Sequence, residues 1–135
     1  MKKKIIWVVI AALILGIVIF LASPQLRVKA FVSMYGDKIE AGLNNGSGVP
    51  GHLGEYSFNT WEGEHDMLEF ILFTRGDMYY GCYYSYDNVP LAFQNTEAEL
   101  TQNGHDHWEW SAENGSHGST SEITDHWYYF EAAFE

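Results

Sequence analysis

Basic residues are scarce in this 135-residue sequence, and they sit almost entirely at one end. Lys2, Lys3, Lys4, Arg27 and Lys29 precede Ala30, and only Lys38 and Arg75 follow it. All eighteen acids lie from Asp37 onward, so the chain after Ala30 carries a formal charge of −16. Such a surface repels phosphate backbones, which argues against any nucleic-acid partner. It also gains nothing from anionic lipid head groups beyond its tether. Cationic partners, metal ions and basic wall polymers are the classes this charge leaves open.

Cysteine is nearly absent too. Cys82 is alone, so no internal disulfide can form. Between Gly81 and Tyr83, in an apolar run, it reads as a small buried hydrophobe. Catalytic signatures are missing as well. There is no Gly-x-Ser-x-Gly elbow, no His-Glu-x-x-His, no phosphate loop and no dinucleotide fingerprint. The expectation is a non-enzymatic protein without a cofactor. Aromatic residues, in contrast, are abundant at 16% of the chain. Disordered acidic segments lack them, so the acidic part is expected to fold. About 105 residues after the first segment suffice for one modest core.

That first segment is the strongest signal in the sequence. After three lysines, Ile5–Ala22 contains no charge. As a helix it would span roughly 27 Å, close to the ~30 Å hydrocarbon thickness of a bilayer. Lysines before it and Arg27 and Lys29 after it can reach the interfaces, and Trp7 suits an aromatic belt. A cleaved signal peptide is the rival, but Phe20 and Pro24 spoil the small-residue cleavage pattern. We therefore expect an uncleaved signal anchor over residues 1–24. The lysine bias favours a cytoplasmic N-terminus and an extracytoplasmic C-terminal domain in the cell membrane.

Beyond Pro24, which ends or caps the first run, Phe31, Tyr35, Ile39 and Leu43 recur every four residues. This predicts an amphipathic helix from Gln25 to Leu43, weakened by Gly36 and Gly42. Asn44–Gly48 ends it, and a loop through Val49-Pro50-Gly51 follows. The period then changes to two. Strands are expected over Glu55–Trp61, Met67–Thr74, Met78–Tyr86, Glu97–Gln102, His105–Trp110 and His126–Phe134, with Leu91–Gln94 a short stretch between them. Met67–Thr74, apolar on both faces except for Glu69, reads as a central strand. Arg75-Gly76-Asp77 reads as a hairpin turn rather than a recognition tripeptide, Asn103-Gly104 as a second hairpin, and Asn114–Ser121 as a polar loop. The predicted fold is α+β: a transmembrane helix over 1–24, a helix and loop over 25–48, and a five- or six-stranded antiparallel β-meander over 49–135 with the amphipathic helix packed on it.

Four groups of residues could carry function. His105, His107 and Glu109 alternate on one strand face and could ligate zinc or a similar ion, with His117, Asp125 and His126 joining if the fold brings them near. The same alternation follows from an ordinary half-buried strand, which is the weightier reading. Glu62, Glu64, His65 and Asp66 form an acidic cluster before the central strand. Its spacing fits no calcium loop, and a solvated turn accounts for it. Trp61, Trp108, Trp110 and Trp127 could stack on sugar rings or meet a protein partner, although aromatics this dense in a small sheet belong more often to a core. Paired carboxylates of a small hydrolase find no support in the spacing.

The runs Gly81–Pro90, Phe93-Gln94 and Asp125–Ala132 resemble those of a group of small uncharacterised bacterial proteins with one N-terminal membrane anchor and an acidic, aromatic-rich domain. The resemblance covers most of the chain after Val49. That group carries a proline where this chain has Tyr86, a departure that would loosen a turn. The resemblance implies a bacterial, envelope-located protein and supplies no functional residues. Together these readings predict a membrane-anchored binding module for a protein or wall component, with a metal-binding domain using His105 and His107 as the alternative.

Overall fold

The computed structural model describes residues 1–53 and 56–134. Helix α1 covers Lys2–Ala22 and helix α2 covers Pro24–Asn45, with Ser23 between them. The Ser23 side chain accepts a hydrogen bond from the Leu26 amide at 3.3 Å, and Pro24 occupies the first turn of α2. Serine caps and an N-terminal proline are the usual start of a helix, so Pro24 initiates α2 as well as ending α1. Gly46, in the left-handed region at φ 79°, closes α2. Every residue of α1 is exposed, and its mean hydropathy of 3.2 makes it long and apolar enough to cross a membrane.

Seven strands follow: β1 Ser57–Trp61, β2 Met67–Arg75, β3 Met78–Ser85, β4 Leu100–Gln102, β5 His107–Ser111, β6 His117–Thr124 and β7 Trp127–Ala133. They form one antiparallel sheet in the order β1-β2-β3-β7-β6-β5-β4. The predicted α+β class therefore holds, with two differences. The sheet is two meanders joined edge to centre, because the chain leaves β3 in the middle and re-enters at the far edge as β4. The segment read as the polar loop Asn114–Ser121 belongs largely to β6. That strand is written in serine, threonine, glycine and histidine because one of its faces is left uncovered, so it carries no apolar alternation.

The two faces of the sheet are covered by different means. On one face, Val28, Phe31, Val32 and Ile39 of α2 pack on Leu68, Phe70, Cys82 and Trp127. The two glycines expected to weaken α2 lie on this packed face. At Gly36 the Trp127 ring lies in contact range of where a Cβ would be, and a Cβ on Gly42 would run into the carbonyl oxygen of Gly48. Both glycines are close-approach positions.

The opposite face is covered by the β3–β4 connection. Leu91, Ala92 and Phe93 are buried there with Met67, Tyr83, Trp110, Tyr128 and Phe130. Leu91–Gln94, read from sequence as a short stretch among the strands, leads into a short 3₁₀ turn, Phe93–Asn95, in which Gln94 and Asn95 both adopt φ 54°. Its amides go to side chains rather than to a ladder: Leu91 to the Tyr83 hydroxyl at 2.8 Å and Gln94 to the Glu69 carboxylate at 2.8 Å. The predicted hairpin at Asn103-Gly104 is a wider turn over residues 103–106, closed by the Asn103 amide on the His107 carbonyl. Gly76 takes φ 61° in the Arg75-Gly76-Asp77 turn, as the hairpin reading requires. Glu55, expected to begin the first strand, lies outside the described residues.

Candidate functional site

Because α2 packs mainly on β2, β3 and β7, touching β6 only near Ile123, most of the same face of β4, β5 and β6 stays open. Strand alternation places His107, Glu109 and Ser111 of β5, His117, Ser119 and Ser121 of β6, and Glu131 of β7 on that open face. All but Ser121 floor a groove of about 700 Å³ that also touches Glu99 and Thr101, and Ser121 lines its continuation. The groove continues beside α2 past Gln25, Lys29, Asp106 and Glu122, and then past Asp37, Glu40 and Asp125.

The polar groups of the floor are only partly occupied. His107 Nδ1 lies 2.8 Å from the Ser121 hydroxyl, and its Nε2 lies 3.9 Å from Glu109. Glu131 accepts the Tyr129 hydroxyl at 2.9 Å, and burial together with this carboxylate pushes the Tyr129 pKa upward. Ser119 pairs in register with both Glu109 and Glu131 and is only 8% exposed, yet its hydroxyl makes no hydrogen bond within the described residues.

A second unusual group lies on the covered face. Glu69, 2% exposed, is the lone acid among the apolar residues of β2. Burial raises its pKa from 4.5 to about 7, against the opposing pull of the Gln94 amide and the nearby Trp61 indole. The Trp61 Nε1 lies outside hydrogen-bond geometry and is the one buried side-chain polar atom without a partner among the described residues. Glu69 lies beneath the Phe93–Asn95 turn, whose Gln94 amide it holds.

The residues singled out from sequence fare unequally. Glu109 and His107 do share a face, as expected, and Trp108 and Trp110 point to the opposite one. His105 is not on the strand, which starts at His107. It sits 96% exposed in the preceding turn, 2.7 Å from Asp106. The Asn103-Gly104 signal opens a longer turn than the two-residue one assumed, and this removes His105 from the ladder. His117 lies in the same groove, but the register of β5 on β6 sets it four positions from His107, roughly 13 Å along the strands. Asp125 and His126 turn the chain at the other end, where His126 Nδ1 meets the Ser85 carbonyl at 2.7 Å and its ring stacks on Tyr84. Among the described residues no three His, Cys, Asp or Glu side chains converge in an arrangement for a metal ion.

The acidic cluster before β2 is a capped turn. Asp66 accepts the Gly63 amide at 3.2 Å, and His65 pairs with Asp87 at 2.8 Å. Of the four tryptophans offered as interaction residues, Trp110 and Trp127 are core at 5% and 1% exposure, so neither offers a ring face to a partner. Trp61 and Trp108 are half-buried. Sequence reasoning missed Ser119, Ser121 and Glu131 because it treated their neighbourhood as a loop or a closed strand. It also passed over Glu69, whose signal was a single carboxylate inside an apolar run.

Comparison with protein-family models, with curated proteins and with solved structures finds no match to this chain.

Proposed function

We propose that this chain is a single-pass, membrane-anchored protein of the bacterial cell envelope whose acidic sheet domain lies outside the cytoplasm and binds another protein or a wall component without catalysing a reaction. The observation that carries this reading is the open half of one sheet face. A domain that covers both faces of β2, β3 and β7 leaves most of one face of β4–β6 open and polar beside α2. The anchor supports it independently, since α1 is long and apolar enough to span and joins the domain directly through Ser23-Pro24. The orientation rests on the three lysines that precede the span. The absence of catalytic signatures in the sequence favours binding over turnover.

Site-specific photo-crosslinking in intact cells tests it. A photoreactive residue at Ser111 or Ser121, on the groove floor, should yield a discrete adduct. The same residue at Asn59, exposed on edge strand β1, should yield none. Adducts from neither groove position, or equal adducts from all three, would defeat the proposal. Protease added to spheroplasts should digest the sheet domain, and a protected domain would reverse the orientation.

A further inference from the structure

Resting on that reading, we propose that the groove holds an extended basic peptide segment, whose lysine or arginine side chains seat against Glu99, Glu109 and Glu131. Three features of the site point to this class of partner.

The first is unanswered charge. The ion pairs among the described residues are all between histidine and a carboxylate. Among the described residues none of the three glutamates pairs with a lysine or arginine. An ionised carboxylate offers about four acceptor positions. Glu131 uses one of its oxygens on Tyr129, and Glu109 faces only His107 at 3.9 Å.

The second is Ser119. The residue is only 8% exposed, in register between Glu109 and Glu131, and what remains open of it faces the groove, with no hydrogen-bond partner for its hydroxyl among the described residues. A hydroxyl that opens only to the groove can both donate to and accept from what lies there. A donor or acceptor brought in by a ligand, such as the backbone of a peptide lying along β6, would complete it.

The third is shape. The groove follows β6 from His117 to Asp125 beside α2, a run of roughly 25 Å at about 3.3 Å per residue. Its acids stand mainly at the two ends of that length, Glu99, Glu109 and Glu131 around Ser119 at one end and Asp37 and Asp125 at the other, and among the described residues they do not converge on one point, as a metal ion would need. Spread acids suit cations carried on separate side chains of one extended strand. Lys29 interrupts the acidic lining beside α2, which confines the cationic seats to the glutamate end and to the end at Asp37 and Asp125. A sugar polymer is a poorer fit, because Trp110 and Trp127 are buried and present no stacking face.

The test uses the full chain in nanodiscs of zwitterionic lipid, at about 150 mM salt, where exposed charges are screened beyond ~8 Å. Fluorescein-labelled tetralysine is the probe, read by anisotropy, with acetylated tetralysine as its neutral counterpart. The unmodified chain should bind tetralysine and not the acetylated peptide. The triple variant Glu99→Gln, Glu109→Gln, Glu131→Gln should weaken binding at least about tenfold, whereas Glu62→Gln, Glu64→Gln, Glu97→Gln, with the same net charge, should leave it nearly unchanged. Ser111→Lys, at an exposed position on the groove floor, places a tethered ammonium among the glutamates and should abolish binding even if the triple variant proves unstable. No binding by the unmodified chain, or equal weakening by both triple variants, overturns the inference. If tetralysine fails while photo-crosslinks from Ser111 and Ser121 persist, the cationic partner is wrong and the binding-module reading stands.

Discussion

The Glu69 carboxylate accepts a hydrogen bond from the Gln94 amide at 2.8 Å, tying the buried interior of β2 to the turn that caps the sheet. Gln94 and Asn95 hold φ 54° there, a conformation that non-glycine residues seldom adopt. Asn95 adds its own anchor, donating from Nδ2 to the His65 carbonyl at 2.8 Å. The β3–β4 connection is therefore pinned by side chains of β2 and β3 and by the backbone of the turn before β2.

Stability should depend on pH through Glu69. Its folded pKa, about 7, stands above the ordinary value of 4.5. The folded state thus binds the proton more tightly than the unfolded one. The stabilising contribution is complete below pH 4.5 and is lost as pH rises through 7. At 1.36 kcal/mol per unit, the shift amounts to roughly 3 kcal/mol at most. Urea denaturation of the full chain in micelles should show greater stability at pH 5.5 than at pH 8. Glu69→Gln, which keeps an acceptor for Gln94, should flatten that profile and raise stability at pH 8. An unchanged profile would place the titration elsewhere.

Tyr83 is the second pin. Thr120 donates to the Tyr129 carbonyl at 3.0 Å, so at 2.6 Å the Tyr83 hydroxyl must donate to Thr120. Its oxygen is then free to accept the Leu91 amide. Tyr83→Phe fits the same space but leaves that buried N–H unmatched. We expect a loss of about 1–3 kcal/mol, together with faster hydrogen exchange at Leu91.

Gly42 separates helix propensity from packing. Alanine is the better helix former by about 1 kcal/mol, yet its Cβ would strike the Gly48 carbonyl, whose amide already bonds the Gly42 oxygen at 2.9 Å. Backbone cannot move aside cheaply, and overpacking typically costs about 1–3 kcal/mol. Gly42→Ala should therefore lower the melting temperature. A rise would mean that the loop after α2 is easily displaced.

Zinc should leave the melting temperature nearly unchanged. His107 and Glu109 supply at most two ligands, and His105 is directed to Asp106. A resident ion at 100 times its dissociation constant would add about 2.7 kcal/mol. A shift of that size, lost in His107→Ala, would restore the metal-binding alternative.

Membrane attachment should rest on α1 alone. Each arginine at the centre of a span costs about 2.5–3.5 kcal/mol on insertion. Leu13→Arg with Ile14→Arg should move the protein from the membrane to the soluble fraction. Retention of the double variant would show a second attachment.

The sequence by itself determined the elements whose cause is local. An uncharged run of eighteen residues, the Ser-Pro cap and the four-residue spacing of Phe31, Tyr35 and Ile39 dictate two helices, because hydropathy and helical period act within a few turns. The aromatic alternation of β2, β3 and β7 was legible for the same reason. Only the tertiary structure decided which faces are covered. β6 escaped notice because its serines and threonines carry no apolar period when one face is open. His105 was misplaced because a turn one or two residues longer shifts a side chain off the ladder. Glu69 and Ser119 acquire their character from burial by distant segments, the Phe93–Asn95 turn for one and the flanking strands for the other. The groove itself exists because α2 is too narrow to cover seven strands, a matter of packing area that no local pattern encodes.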